Sequence, residues 1–115
     1  MTNQTKAHTI TADNIGAVLW QQVEDKTPHK RLVLAVIIQA IDDVALIDKH
    51  DNYESLQDVK RNKAMNLYFT GIEAKRYLYG PECARTLSDM GIIPDFAHKL
   101  FDRVGEVVTI NKILE

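Results

Sequence analysis

A single cysteine, Cys83, leaves this 115-residue chain unable to form an intramolecular disulfide. A disulfide-stapled secreted scaffold is therefore excluded, and a reduced, cytoplasmic setting is the expectation. Long apolar runs are missing as well. The longest, Leu32 to Ile38, is a fraction of the roughly twenty residues a membrane-spanning helix needs. The opening stretch Met1 to His8 is polar and lacks a basic-then-apolar leader pattern, so no membrane partner is expected. There is no surplus of positive charge: Lys+Arg 14 against Asp+Glu 16 gives a formal net charge of −2, so attraction for a polyanion must come from a local patch. Glycine is sparse, and Gly16, Gly71, Gly80, Gly91 and Gly105 are too dispersed to form a phosphate-cradling loop.

What is present reads as helix. A hydrophobic fraction of 45% with 26% charged residues suits one globular domain at this length. Residues 1–10 offer little to bury and are expected to be a flexible N-terminal segment, ahead of a single helical domain over 11–115. Thr11 can cap a first helix whose Ile15, Val18, Leu19 and Val23 share a face, with Trp20 beside it. Thr27-Pro28 is the strongest boundary, a capping side chain followed by a proline that needs no N–H at the first helical position. The pattern from Leu32 to Ile47 is apolar on nearly every side and too long for an ordinary strand, which predicts a buried central helix.

Further along, Ser55 and Asp58 have capping-box spacing, and Thr70-Gly71 is a candidate stop for the helix they open. A short helical segment, Ile72 to Tyr79, then closes at Gly80-Pro81. Gly91 suits the residue just past a helix, and Pro94 starts another helix carrying Phe96, Ala97, Leu100 and Phe101. After Gly105 the spacing of Val107, Ile110, Ile113 and Leu114 favours a last helix, with a strand-like tail as the alternative. The expected fold is an all-α compact bundle of five to six helices around the central helix.

No catalytic constellation is recognisable. His8, His29, His50 and His98 are scattered, with no pair at helical ligand spacing. Asp48, His50, Asp51 and Glu54 lack the glycine of a calcium loop and read as a solvated helix end. Asp42 and Asp43 diverge on a helix surface. Cys83 has no identifiable base and reads as a buried structural thiol. Neither a metal nor a cofactor is expected, and the chain is read as non-enzymatic.

Charge is unevenly distributed. Met1 to Val59 carries five Lys/Arg and nine Asp/Glu, Lys60 to Arg85 six and two, Thr86 to Glu115 three and five. The middle segment is thus the only basic one, and Lys60, Arg61, Lys63, Lys75, Arg76 and Arg85 are the candidate nucleic-acid-binding residues. Tyr77 and Tyr79 lie near them, able either to stack on bases or to sit half-buried beneath a solvated face. Cys83 to Leu100 has the order of a helix-turn-helix, with Thr86, Met90, Ile92, Ala97 and Leu100 at inward positions. Against DNA reading, Leu87 occupies the place of a small residue, and Asp95, His98, Lys99, Asp102 and Arg103 leave the second helix neutral. A hairpin that packs the core explains the same residues. The alternative partner is a host protein, met through Asp48, Asp51 and Glu54. A central helix so apolar also exceeds what a small bundle can cover, which makes a homodimer an expectation.

The order of features resembles a group of small, mostly uncharacterised phage and prophage proteins. The resemblance rests on Gln39-Ala40-Ile41-Asp42-Asp43 closing an apolar helix, the aromatic pair Tyr68-Phe69, and the junction Gly91-Ile92-Ile93-Pro94. It spans roughly Trp20 to Val104. Leu87 stands where that group usually has a cysteine, and Gly71 to Tyr79 looks like an insertion relative to it. The resemblance implies a phage-type origin and a helical fold, and carries no mechanism.

Overall fold

Thr11 and Thr27 start the first two helices by the same local device. In the computed structural model, which describes residues Thr5–Asn111, both threonines have extended backbones. Their side-chain oxygens accept from the N–H three residues on, Asn14 at 3.1 Å and Lys30 at 3.2 Å. At Thr11 the cap is reciprocal, since Asn14 Oδ1 accepts from the Thr11 N–H at 3.0 Å. These caps open α1 (Ala12–Gln22) and α2 (Pro28–His50), the latter with its proline at the first position.

A 3-10 turn at Tyr53–Ser55 leads to α3 (Asp58–Leu78), which packs antiparallel along α2. Two short helices follow, α4 (Pro81–Asp89) and α5 (Pro94–Phe101). Among the described residues the fold is all-α, a bundle of five helices with α2 at its centre, as the sequence predicts. Ile15 and Leu19 of α1, Ile37 and Ile41 of α2, Leu78 of α3, Leu87 of α4 and Ile92 are the largest fully buried side chains. Removing each from water contributes about 1.5–3 kcal/mol.

Three boundaries differ from the sequence reading. Gly71 does not end a helix; α3 runs through it, and the expected separate segment Ile72–Tyr79 is its second half. The glycine is where α2 comes closest. A Cβ there would lie 2.8 Å from Ile47 Cγ1 and 3.0 Å from the Asp43 carbonyl oxygen. The Ser55–Asp58 capping box is also absent. Ser55 lies in the turn, where its hydroxyl donates to the Asn52 carbonyl at 2.7 Å, and Gln57 precedes α3 without a side-chain cap.

The third difference is at the ends. Thr5–Thr9, expected to be flexible, forms β1 and pairs antiparallel with β2 (Val107–Asn111), from Thr5 opposite Asn111 to Thr9 opposite Val107. The expected last helix is therefore replaced by the strand alternative; Ile113 and Leu114 lie outside the described residues. Gly105, at φ +83°, turns the chain, and its N–H donates to the Ile10 carbonyl at 2.8 Å while Ile10 N–H donates to Glu106.

The helix-turn-helix-like hairpin is present in outline. Gly91 takes φ +84°, Ile92 N–H donates to the Leu87 carbonyl at 2.9 Å, and Gly91 N–H donates to Ser88, the paired bonds of a Schellman motif. Met90, Ile92 and Ala97 are buried, and Thr86 and Leu100 half-buried, on the inner side. The α2–α3 hairpin and the strand ribbon project from the bundle, so the molecule measures 53 × 44 × 23 Å. Among the described residues no helix is long and apolar enough to cross a membrane.

Candidate binding surfaces

The start of α3 is the most exposed helical stretch in the chain. All six residues from Asp58 to Lys63 are exposed, and Ala64 is the first buried position. Val59 is 79% exposed. The helix overhangs its support for well over a turn, because Ile47 of α2 already meets α3 at Gly71 and α2 ends at His50. Lys60, Arg61 and Lys63 therefore project into solvent.

This overhang is locally ill-made as a helix. It has no side-chain cap, and Asp58 adopts φ +48°, a left-handed conformation that L-residues other than Asn and Asp seldom take. Three cations sit near the positive end of the helix dipole, opposing it by roughly 0.3–1 kcal/mol each near the terminus. Asp58 is the one acidic residue in the first turn. Among the described residues the single ion pair is Arg103–Glu106, at 3.2 Å, so none of these cations is neutralised by a bound carboxylate.

The six predicted basic residues do not form one patch. Because α3 is unbroken, Lys75 and Arg76 lie about 22 Å along its axis from Lys60 and Arg61. Arg85 is exposed on α4. The predicted acidic residues Asp48, Asp51 and Glu54 are all exposed, at the end of α2 and in the turn before the overhang. Acidic and basic candidates thus share one end of the hairpin. Among the described residues no three His, Cys, Asp or Glu side chains gather closely enough to hold a metal ion.

The tyrosines near the basic run have other duties. Tyr77 is half-buried against the core beside Cys83, and burial pushes its phenol upward in pKa. Cys83 is fully buried; its thiol is likewise raised by burial, which keeps it protonated and unreactive at neutral pH. Tyr79 donates to Asp102 at 2.5 Å and packs against His98 and Phe101, with ring centroids 5.1 and 5.9 Å away. Burial, then the Asp102 hydrogen bond and charge, hold its phenol well above the ordinary value of 10.0.

That Tyr79–Asp102 pair edges a cleft of about 380 Å³ with Lys75 at its rim and Ile41, Leu78 and Phe101 as apolar walls. The arrangement fastens α3 to the end of α5 through a neutral phenol and a carboxylate.

One feature went unread in the sequence. Tyr53 of the turn packs on Tyr68 and Phe69 of α3, with centroids 5.3 and 6.2 Å away, and this trio holds the turn against the hairpin. Only the aromatic types signalled it, since contact depends on how the turn folds back. The central helix, expected to be buried, is uncovered on its outer side, where Leu32 is 69% and Val36 60% exposed; the sequence reading anticipated apolar excess on this helix but not which residues carry it.

Comparison with known proteins gives no match: no family model, no curated protein and no solved structure matches this chain.

Proposed function

We propose that this chain is a non-enzymatic, phage-type accessory protein of the cytoplasm that binds nucleic acid through its phosphate backbone. The overhanging start of α3 is the contact element. The observation that carries this reading is the run Asp58–Lys63, exposed throughout and holding three cations without ion-pair partners among the described residues. A phosphate chain would supply the negative charge that the capless, dipole-opposed helix start lacks. Lys75, Arg76 and Arg85 extend the contact along α3 and α4.

Sequence readout by α5 is not part of the proposal. That helix has only eight residues, and its side chains offer no net positive charge to a phosphate chain; His98 Nε2 is buried without a hydrogen-bond partner and so does not face an outside ligand. His98 stacks with Tyr79, Asp102 accepts from Tyr79, and just beyond the helix Arg103 pairs with Glu106, leaving Asp95 against Lys99. Phosphate contacts position a protein without specifying sequence, so the expected binding is general. A fluorescence-anisotropy titration with unrelated duplexes at low salt tests it. Comparable affinity for each, lost on K60A/R61A/K63A, is the expected result; no binding, or binding indifferent to those substitutions, refutes it.

The second reading is a regulator or inhibitor that docks on a basic host protein through Asp48, Asp51 and Glu54. Their joint exposure beside the overhang favours it. Charge reversal at all three should abolish capture of such a partner, and unchanged capture would rule the reading out.

A further inference from the structure

We propose that the uncovered side of α2 is a self-recognition surface, on which a second copy of this chain docks antiparallel about a two-fold axis close to Val36. The surface is independent of the overhang and does not rest on nucleic-acid binding. It begins with Leu32 and Val36, one helical turn apart and 69% and 60% exposed. Both lie on the side of α2 that also carries His29, Val33, Ala40 and Asp43, as the 3.6-residue period requires.

Two hollows flank Val36 and share Val36 and Tyr77 in their linings. One, about 380 Å³, lies toward the start of α2, with His29, Lys30 and Val33. The other, about 390 Å³, lies toward its end, where small Ala40 and Ala74 leave the space open between Asp43 and Glu73. The groove therefore has a protruding leucine four residues before Val36 and a vacant alanine-floored hollow four residues after it. A two-fold axis at Val36 sets Leu32 of each copy opposite the partner's Ala40, a knob facing a hole on both sides of the axis.

Charge follows the same symmetry. The hollow near the helix start is lined by Lys30 and His29 with one acid, Asp89, and the Lys30 ammonium itself donates to the Glu24 and Asp25 backbone carbonyls at 2.7 and 3.1 Å, so no carboxylate neutralises it. The opposite hollow holds Asp43 and Glu73 without a cation. Antiparallel docking brings the two unlike ends together.

The chain has surface to spare for such a partner. It exposes 8063 Å², where a folded monomer of 13.1 kDa exposes about 6,400 Å². That surplus of about 1,700 Å², which the projecting hairpin end and strand ribbon share, leaves room for the roughly 800 Å² each partner contributes to a standard interface.

Sedimentation velocity on the full chain across micromolar concentrations tests the proposal, with far-UV circular dichroism as the folding control. The wild type should sediment as a dimer. L32E/V36E should be a folded monomer, its dissociation constant raised roughly 100-fold or more by loss of two apolar anchors. V36C should form a disulfide-linked dimer on mild oxidation, while V59C, exposed on the overhang, should not. A monomeric wild type at all concentrations overturns the proposal, as does a dimer that survives L32E/V36E. Capture of a different protein by this face of a monomeric chain overturns it too. If L32E/V36E fails to fold, the paired cysteine variants decide alone.

Discussion

Replacing Gly71 with alanine sets two opposing magnitudes against each other, and the sign of the outcome tests the α2–α3 packing. Alanine is the better helix former by about 0.8–1 kcal/mol, so a merely tolerated glycine in α3 would give a more stable protein. The structure predicts the reverse. The new methyl would meet Ile47 Cγ1 at 2.8 Å and, less forgivingly, the Asp43 carbonyl oxygen and Ile47 nitrogen at 3.0 Å. A side chain can rotate away, but backbone atoms require α2 itself to move back by a few tenths of an ångström. Overpacking of that kind costs about 1–3 kcal/mol. After the propensity gain, the expected net loss is about 1 kcal/mol, or a Tm lower by roughly 4 °C. G71L, with comparable propensity and far more bulk, should lose about 3 kcal/mol or more. Urea unfolding followed by far-UV circular dichroism reads both. A G71A protein more stable than wild type would show that the helices do not approach closely at this point.

Capping supplies a second test. T27A removes the acceptor for the Lys30 N–H and should destabilise by about 1 kcal/mol, whereas S55A, outside any helix cap, should lie within about 0.5 kcal/mol of wild type in the same unfolding assay. D58G relieves the φ of +48° at the uncapped start of α3 but removes the one acidic side chain of its first turn, so the two effects should offset and leave stability within about 0.5 kcal/mol of wild type. The Tyr79–Asp102 hydrogen bond makes a pH prediction. The folded phenol titrates above its unfolded value of 10.0, so its stabilisation is complete below pH 10 and declines above it as the unfolded state ionises first. Thermal melts from pH 8 to 11 should show that decline in the wild type and a flatter alkaline limb in Y79F.

The features legible in the sequence are those fixed by a few neighbouring residues. Thr11, Thr27-Pro28 and Gly91 act through their own backbone geometry, and each lies where its local chemistry placed it. Gly71 has the same local signature as a helix stop, yet its role is set by α2, about 25 residues earlier in the chain. The strand ribbon escaped for a similar reason: β1 and β2 are joined only across the length of the domain. A basic segment contiguous in sequence became two groups at opposite ends of α3, because an unbroken helix converts fifteen residues into a separation rather than a cluster. Conversely, the apolar excess of α2 is legible in its hydrophobicity, but its location at Leu32 and Val36 is not, since an apolar side of α2 looks the same whether the core or a partner covers it.

The salt dependence of duplex binding tests the proposed function most directly. Each phosphate contact adds about 0.9 to the magnitude of the slope of log K against log salt. Engagement of Lys60, Arg61 and Lys63 predicts a slope of at least about −2.7 in the wild type, steeper if Lys75, Arg76 and Arg85 also bind. K60A/R61A/K63A should flatten that slope by nearly 3 while the protein stays folded, with a melting temperature equal to wild type or a few degrees above it, because all three side chains are exposed and their removal relieves the opposed helix dipole. A wild-type slope near zero, or one unchanged by the triple substitution, would contradict the account.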